Sequence, residues 1–108
     1  MLKDLIGKYY FDGNYNCAES LLRAANDYYQ LNLHDQDMII IGGFGAGMQA
    51  GLTCGALLSA ISVLSYKYIE AKAHESADIN PIVNRLLADF TRRMESIVCA
   101  EIKPRVFV

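Results

Sequence analysis

Apolar residues recur at helical spacing along most of this chain, and the interruptions carry helix-stop and helix-start signals. Leu2, Leu5, Ile6, Tyr9 and Tyr10 fall at the i, i+3, i+4, i+7, i+8 positions of one helical face. Asp12-Gly13-Asn14 breaks that helix. Asn16-Cys17-Ala18-Glu19 reads as the next start, because Asn16 can cap and Glu19 stands three residues on, as a capping box requires. The helix that follows is expected to turn Leu21, Leu22, Ala25, Tyr28 and Tyr29 inward and Arg23, Asn26 and Asp27 outward, ending near Leu31-Asn32.

Beyond Asp35-Gln36-Asp37 the pattern changes. No charged residue occurs from Met38 to Tyr66, and Ile39 to Ile41 are locally ambiguous between strand and helix. After Gly47 the chain reads as one long helix running to about Lys72, apolar on nearly every side and therefore either the buried centre of the fold or a membrane span. Glu70 to Asp78 is a polar connection. Asn80-Pro81 starts another helix, with Asn as cap and Pro at the first helical position. Its stripe, Val83, Leu87, Phe90, Met94 and Ile97, carries the helix to Cys99, where Pro104 forbids continuation and Arg105 to Val108 form an extended tail. The fold class is all-α: one domain, residues 1–108, of four to five helices packed around a central buried Gly-rich helix.

Six glycines fall between Gly42 and Gly55, and Gly43, Gly47, Gly51 and Gly55 recur every four residues, continued by Ser59. A membrane helix is one reading, since small residues four apart line the contacts of such helices. It leaves the amphipathic helices without a shared core. A dinucleotide turn is another, but counting G-x-G-x-x-G from Gly43 puts Met48 where the last glycine belongs. The third is close helix packing within a globular bundle, the earliest glycines forming a turn whose backbone amides face Cys54 or a ligand. On that reading Gly43, Gly45, Gly47 and Gly55 are candidate ligand-facing positions. Glycine costs about 1 kcal/mol per helical position relative to alanine, so a row of them needs a compensating contact.

Composition narrows the classes. With 53% hydrophobic residues and two prolines in 108, the chain is too apolar for disorder and of single-domain size. The net charge of −2 and the absence of a basic stripe argue against nucleic acid as a partner. Met1 to Leu5 does not resemble a secretory signal. Three widely spaced cysteines differ from the dense, even frameworks of small secreted domains, so a cytoplasmic setting is expected.

Those cysteines are the candidate chemistry. Cys17 falls at a helix start, where free amides and the macrodipole stabilise an anion and so favour the thiolate. Cys54 follows Thr53, a candidate cap, and is flanked by Gly51 and Gly55, which leave its sulfur accessible. Cys99 lies at the end of the last helix. Each is equally explained as a small buried hydrophobe. No C-x-x-C pair occurs, and His34 and His74 sit in polar connections as ordinary loop histidines.

Asn16-Cys17-Ala18-Glu19, Gly43-Phe44-Gly45-Ala46-Gly47, Cys54-Gly55-Ala56 and the helix reaching Cys99 occur in that order. Together they resemble a family of putative redox-active proteins with a C…CGAxxG…C…C cysteine pattern, over roughly residues 11 to 102. The resemblance implies that Cys17, Cys54 and Cys99 correspond to the family's first three cysteines and are redox-active. Ser59 stands in place of the motif's final glycine, and no residue here corresponds to the fourth cysteine.

Three functions follow. The first is a thiol-redox protein, resembling a thiol-disulfide oxidoreductase, in which Cys17 attacks, Cys54 resolves and Cys99 is a third participant. The second is a metal- or cofactor-binding module in which Cys17, Cys54 and Cys99 hold zinc, copper or an iron–sulfur cluster. The third is an interaction protein whose cysteines are core. Seven tyrosines and the Val106-Phe107-Val108 tail suggest a homodimer, which would supply a missing fourth ligand across a two-fold axis.

Overall fold

Side-chain caps and left-handed residues set where the helices of this chain begin and end. In the computed structural model, which describes residues 1–106, α1 spans Leu2–Gly7 and continues as a wider turn over Lys8–Asp12, stopping at Gly13. α2 (Cys17–Tyr29) opens on the expected capping box and closes at Gln30, which is left-handed at φ 54°. α3 is the single turn Asp35–Met38, with the Asp37 carboxylate accepting from the His34 amide at 2.9 Å. α4 (Gly55–Tyr68), α5 (Ile79–Met94) and α6 (Cys99–Val106) complete six α-helices among the described residues, more than the four or five expected. Extended pairing among them is limited to one antiparallel bridge, Thr53 to Val98. No helix among the described residues is long and apolar enough to cross a membrane.

The centre is the pair α2 and α4, with α1 against α2 and α5 against α4. Ala18, Leu22, Ala25, Met38, Ile41 and Val63 form the buried cluster, with Leu21, Leu31 and Leu33 packed on it. The inward face of α2 is made largely of small residues: Ala18, Ser20, Ala24 and Ala25 are buried, whereas Tyr28 and Tyr29 are about half exposed (50% and 46%). Those tyrosines sit in the last turn, where they stack edge-on at 5.0 Å instead of entering the core. Arg23, expected outward, is drawn in: its guanidinium lies 4.4 Å over the Tyr15 ring and pairs with Asp35 at 3.0 Å. A flat cation can be covered this way because the ring face supplies partial compensation for lost water.

Glycine spacing is the main correction. Gly43, Gly47 and Gly51 do not share a helix with Gly55: Ile39–Phe44 form a 3-10 segment, and Ala46 to Gln49 are all left-handed. Helix propensity is overruled here by contacts made with other elements, since the left-handed region costs a non-glycine residue about 1 kcal/mol. Close packing survives only for the end of the row. Gly55, Ser59 and Val63, four apart on α4, are all buried.

The second correction concerns the C-terminal third. α5 begins at Ile79, with Asp78 rather than Asn80 at the cap position and Pro81 inside the first turn. It ends at Met94, because Glu95 takes φ 64°, so Ile97 leaves the helix and Cys99 opens a new one. Ser96 organises that restart: its hydroxyl accepts from the Val98 amide at 3.0 Å and donates to Glu101. Pro104, Arg105 and Val106 fall within α6 instead of an extended tail. Phe107 and Val108, part of the tail linked to self-association, lie outside the described residues.

Two predictions follow from packing. Ser59 is fully buried and its hydroxyl has no hydrogen-bond partner. Ser59→Ala removes that unpaired group and improves helix propensity, so urea denaturation is expected to show a gain of about 1 kcal/mol; a loss of that size would show the hydroxyl is satisfied. Tyr9 donates to Asp27, and that bond, then burial and the Asp27 charge, push its pKa from 10.0 up to about 12. A raised folded value means this stabilisation is full below pH 10 and is lost as pH rises through about 12. Asp27→Asn should bring the phenolate absorbance step of Tyr9 back towards 10.0, identified by its disappearance in Tyr9→Phe.

Candidate functional site

Three helix starts converge on one cavity, and each brings a cysteine. Cys17 is the first residue of α2, Cys54 is the cap residue of α4, and Cys99 is the first residue of α6. All three line a cavity of about 580 Å³. Each is half-buried, and no disulfide joins them.

The Thr53–Val98 bridge fixes two of the three. Cys54 donates its amide to the Ile97 carbonyl at 2.7 Å, and Cys99 donates its own to Leu52 on the other side of the bridge. Side chains alternate across an extended segment, so Cys54 and Cys99 leave the bridge on the same face. Thr53, a candidate cap from the sequence, is instead the bridging residue, and Cys54 occupies the cap position itself.

Cys17 is tied to the others through Asn16 and the glycine turn. The Asn16 side-chain carbonyl accepts from the Glu19 amide at 2.9 Å, while the Glu19 carboxylate accepts from the Asn16 amide at 3.0 Å. The Asn16 amide group is left to donate to the Gly42 carbonyl at 2.9 Å. One side chain thus caps α2 and clamps the glycine turn against it. A Cβ at Gly45 would collide with Asn16, and one at Gly55 would collide with the Phe44 carbonyl and sit 3.1 Å from the Cys17 sulfur. That contact puts the Cys54 Cα within roughly 9 Å of the Cys17 sulfur, since consecutive Cα atoms are 3.80 Å apart. Gly47, at φ 61°, leaves no room for a Cβ beside Cys99, whose own Cβ would lie 2.7 Å away.

Of the four glycines expected to face a ligand, Gly45, Gly47 and Gly55 are thus occupied by protein atoms. Gly43 has open space on its Cβ side. The remaining walls of the cavity come from residues that periodicity assigned to the core or left unassigned. Phe90 and Met94 belong to the apolar stripe of α5 and are half-buried rather than enclosed; Tyr10, Ala46, Ala56 and Ile102 complete the apolar side. Their role was hidden in the sequence because a helical stripe facing a cavity has the same spacing as one facing a core. His34 and His74 are exposed, away from the cavity lining. Among the described residues no group of three or more His, Cys, Asp or Glu side chains is arranged to hold a metal ion.

Residues 15–106 match the family described as putative redox-active proteins with the signature C_GCAxxG_C_C, and the chain belongs to that family. Here the glycine follows the middle cysteine, as Cys54-Gly55-Ala56, and Ser59 closes the motif. No curated protein and no solved structure matches the chain.

Asn16 gives the sharpest structural test. Asn16→Asp keeps the cap acceptor but removes the donor to Gly42, and should cost about 1–2 kcal/mol by urea denaturation. Asn16→Ala removes both and should cost more, about 2–3 kcal/mol. Equal losses would show that only the bond to Gly42 matters.

Proposed function

We propose that this protein is a thiol-disulfide redox protein in which Cys17 is the attacking thiol, Cys54 the resolving thiol and Cys99 a third participant. The observation that carries this reading is the convergence of all three cysteines, each at a helix start, on one cavity. Membership of a redox-active family supports it independently. The reaction is two exchanges. The Cys17 thiolate attacks one sulfur of a disulfide, forming a mixed disulfide and releasing the other half as a thiolate. The Cys54 thiolate then attacks the Cys17 sulfur, releasing the second half and leaving a Cys17–Cys54 disulfide. Two electrons pass from the protein to the substrate, which departs as two thiols.

Cys17 is the better attacking group because it stands within the first turn of a thirteen-residue helix, with the Asn16 box holding that turn in place. The contact between Gly55 and the Cys17 sulfur supports Cys54, its chain neighbour, as the resolving thiol, which requires the two sulfurs to approach to bonding distance. Cys99, projected on the same face of the bridge as Cys54, is placed to exchange with it. A reducing compartment such as the cytoplasm is the setting we infer for three thiols held in this state.

Stoichiometric oxidation tests the reading. One equivalent of diamide added to the reduced protein should lower the thiol titre from three to one, with peptide mapping locating the bridge at 17–54. Cys17→Ser and Cys54→Ser should each abolish that product, and Cys99→Ser should retain it. Three thiols remaining after oxidation would overturn the proposal.

A further inference from the structure

We infer that the disulfide reduced at this site is a small, uncharged, apolar molecule rather than a protein or an ionised peptide disulfide. This rests on the thiol-disulfide reading above and specifies its substrate. The three cysteines are half-buried in the lining of an open cavity of about 580 Å³, the scale of a small-molecule site. Its apolar walls are Tyr10, Ala46, Ala56, Phe90, Met94 and Ile102, with Asn14, Tyr15 and Asn16 on the polar side, and none of the described lining residues carries a charge. Apolar arms on a disulfide are desolvated there at a gain, because the surface they cover is itself apolar. Among the described lining residues no cationic side chain stands ready to pair with a carboxylate, so an ionised arm gains no ion pair there.

The step is balanced within the site. Cys17 sulfur bonds to one sulfur of the apolar disulfide R–S–S–R as the S–S bond breaks and RS⁻ leaves. Cys54 sulfur then displaces the second RS⁻ from Cys17, and solvent protonates both thiolates. An external dithiol returns the protein to its reduced form.

The test is the rate at which reduced protein forms its intramolecular disulfide with dipropyl disulfide and with oxidised glutathione. Each rate is divided by that of N-acetylcysteine with the same compound, which removes intrinsic reactivity. The expected result is a preference for dipropyl disulfide of roughly tenfold or more, the scale on which an apolar pocket discriminates. Ala46→Lys, at an exposed position on the cavity wall, should shift that preference towards glutathione while the Cys17–Cys54 bridge still forms. Equal normalised rates, or a preference untouched by Ala46→Lys, would overturn the substrate class and leave the redox reading standing. Failure of both compounds to form any intramolecular disulfide would overturn the redox reading itself.

Discussion

The Asn16 side chain is the interaction on which the rest of this structure depends. Its carbonyl satisfies an amide at the start of α2, and its amide group reaches across to the Gly42 carbonyl. A cap alone is worth about 1 kcal/mol and concerns one helix. Here the same residue also holds a turn that no regular ladder supports, and that turn sits against the start of α4 through the Phe44 carbonyl and Gly55. The position of the Cys17 sulfur relative to Cys54 is therefore set by polar contacts between three short segments, not by the hydrophobic core beneath them. Burial of Leu22, Ala25 and Val63 keeps α2 and α4 together; the Asn16 bridge fixes their ends.

Much of the fold was legible in the sequence, and the failures share a cause. The α2 start was readable because a capping box is local: four consecutive residues specify it. The stretch after Gly47 was misread as the start of the long helix because spacing every four residues is compatible with a helical ridge. The structure uses Gly45, Gly47 and Gly55 for approach by Asn16, Cys99 and Cys17, partners 29 or more residues away in the chain that no local pattern reveals. The break after Met94 was missed for a related reason. Glu95 adopts the left-handed conformation without a glycine to announce it, and Ser96 restarts the chain through contacts with Val98 and Glu101. Half of the site was likewise legible. The cysteines announce themselves, whereas Phe90 and Met94 look like core until the cavity beside them is seen.

These corrections change the account of the chemistry. A long glycine-lined helix would have presented Cys54 from its interior. Instead α4 begins at that point, so Cys54 caps it, and Cys99 begins α6 on the far side of a two-residue bridge. Three helix N-termini with a thiol at each make a different site from one exposed cysteine, because they bring all three thiols to the lining of one cavity. The left-handed turn from Ala46 to Gln49 is the cost of bringing Leu52 to Cys54 alongside Ile97 to Cys99.

The measurement that tests this account most directly is a crystal structure of the reduced protein with the sulfur positions fixed by anomalous scattering. The account predicts the Cys17, Cys54 and Cys99 sulfurs around one cavity, with Asn16 bonded to the Gly42 carbonyl and Cys17 packed on Gly55. A structure in which Cys17 faces away from the start of α4, or in which residues 43 to 55 form one continuous helix, would contradict it.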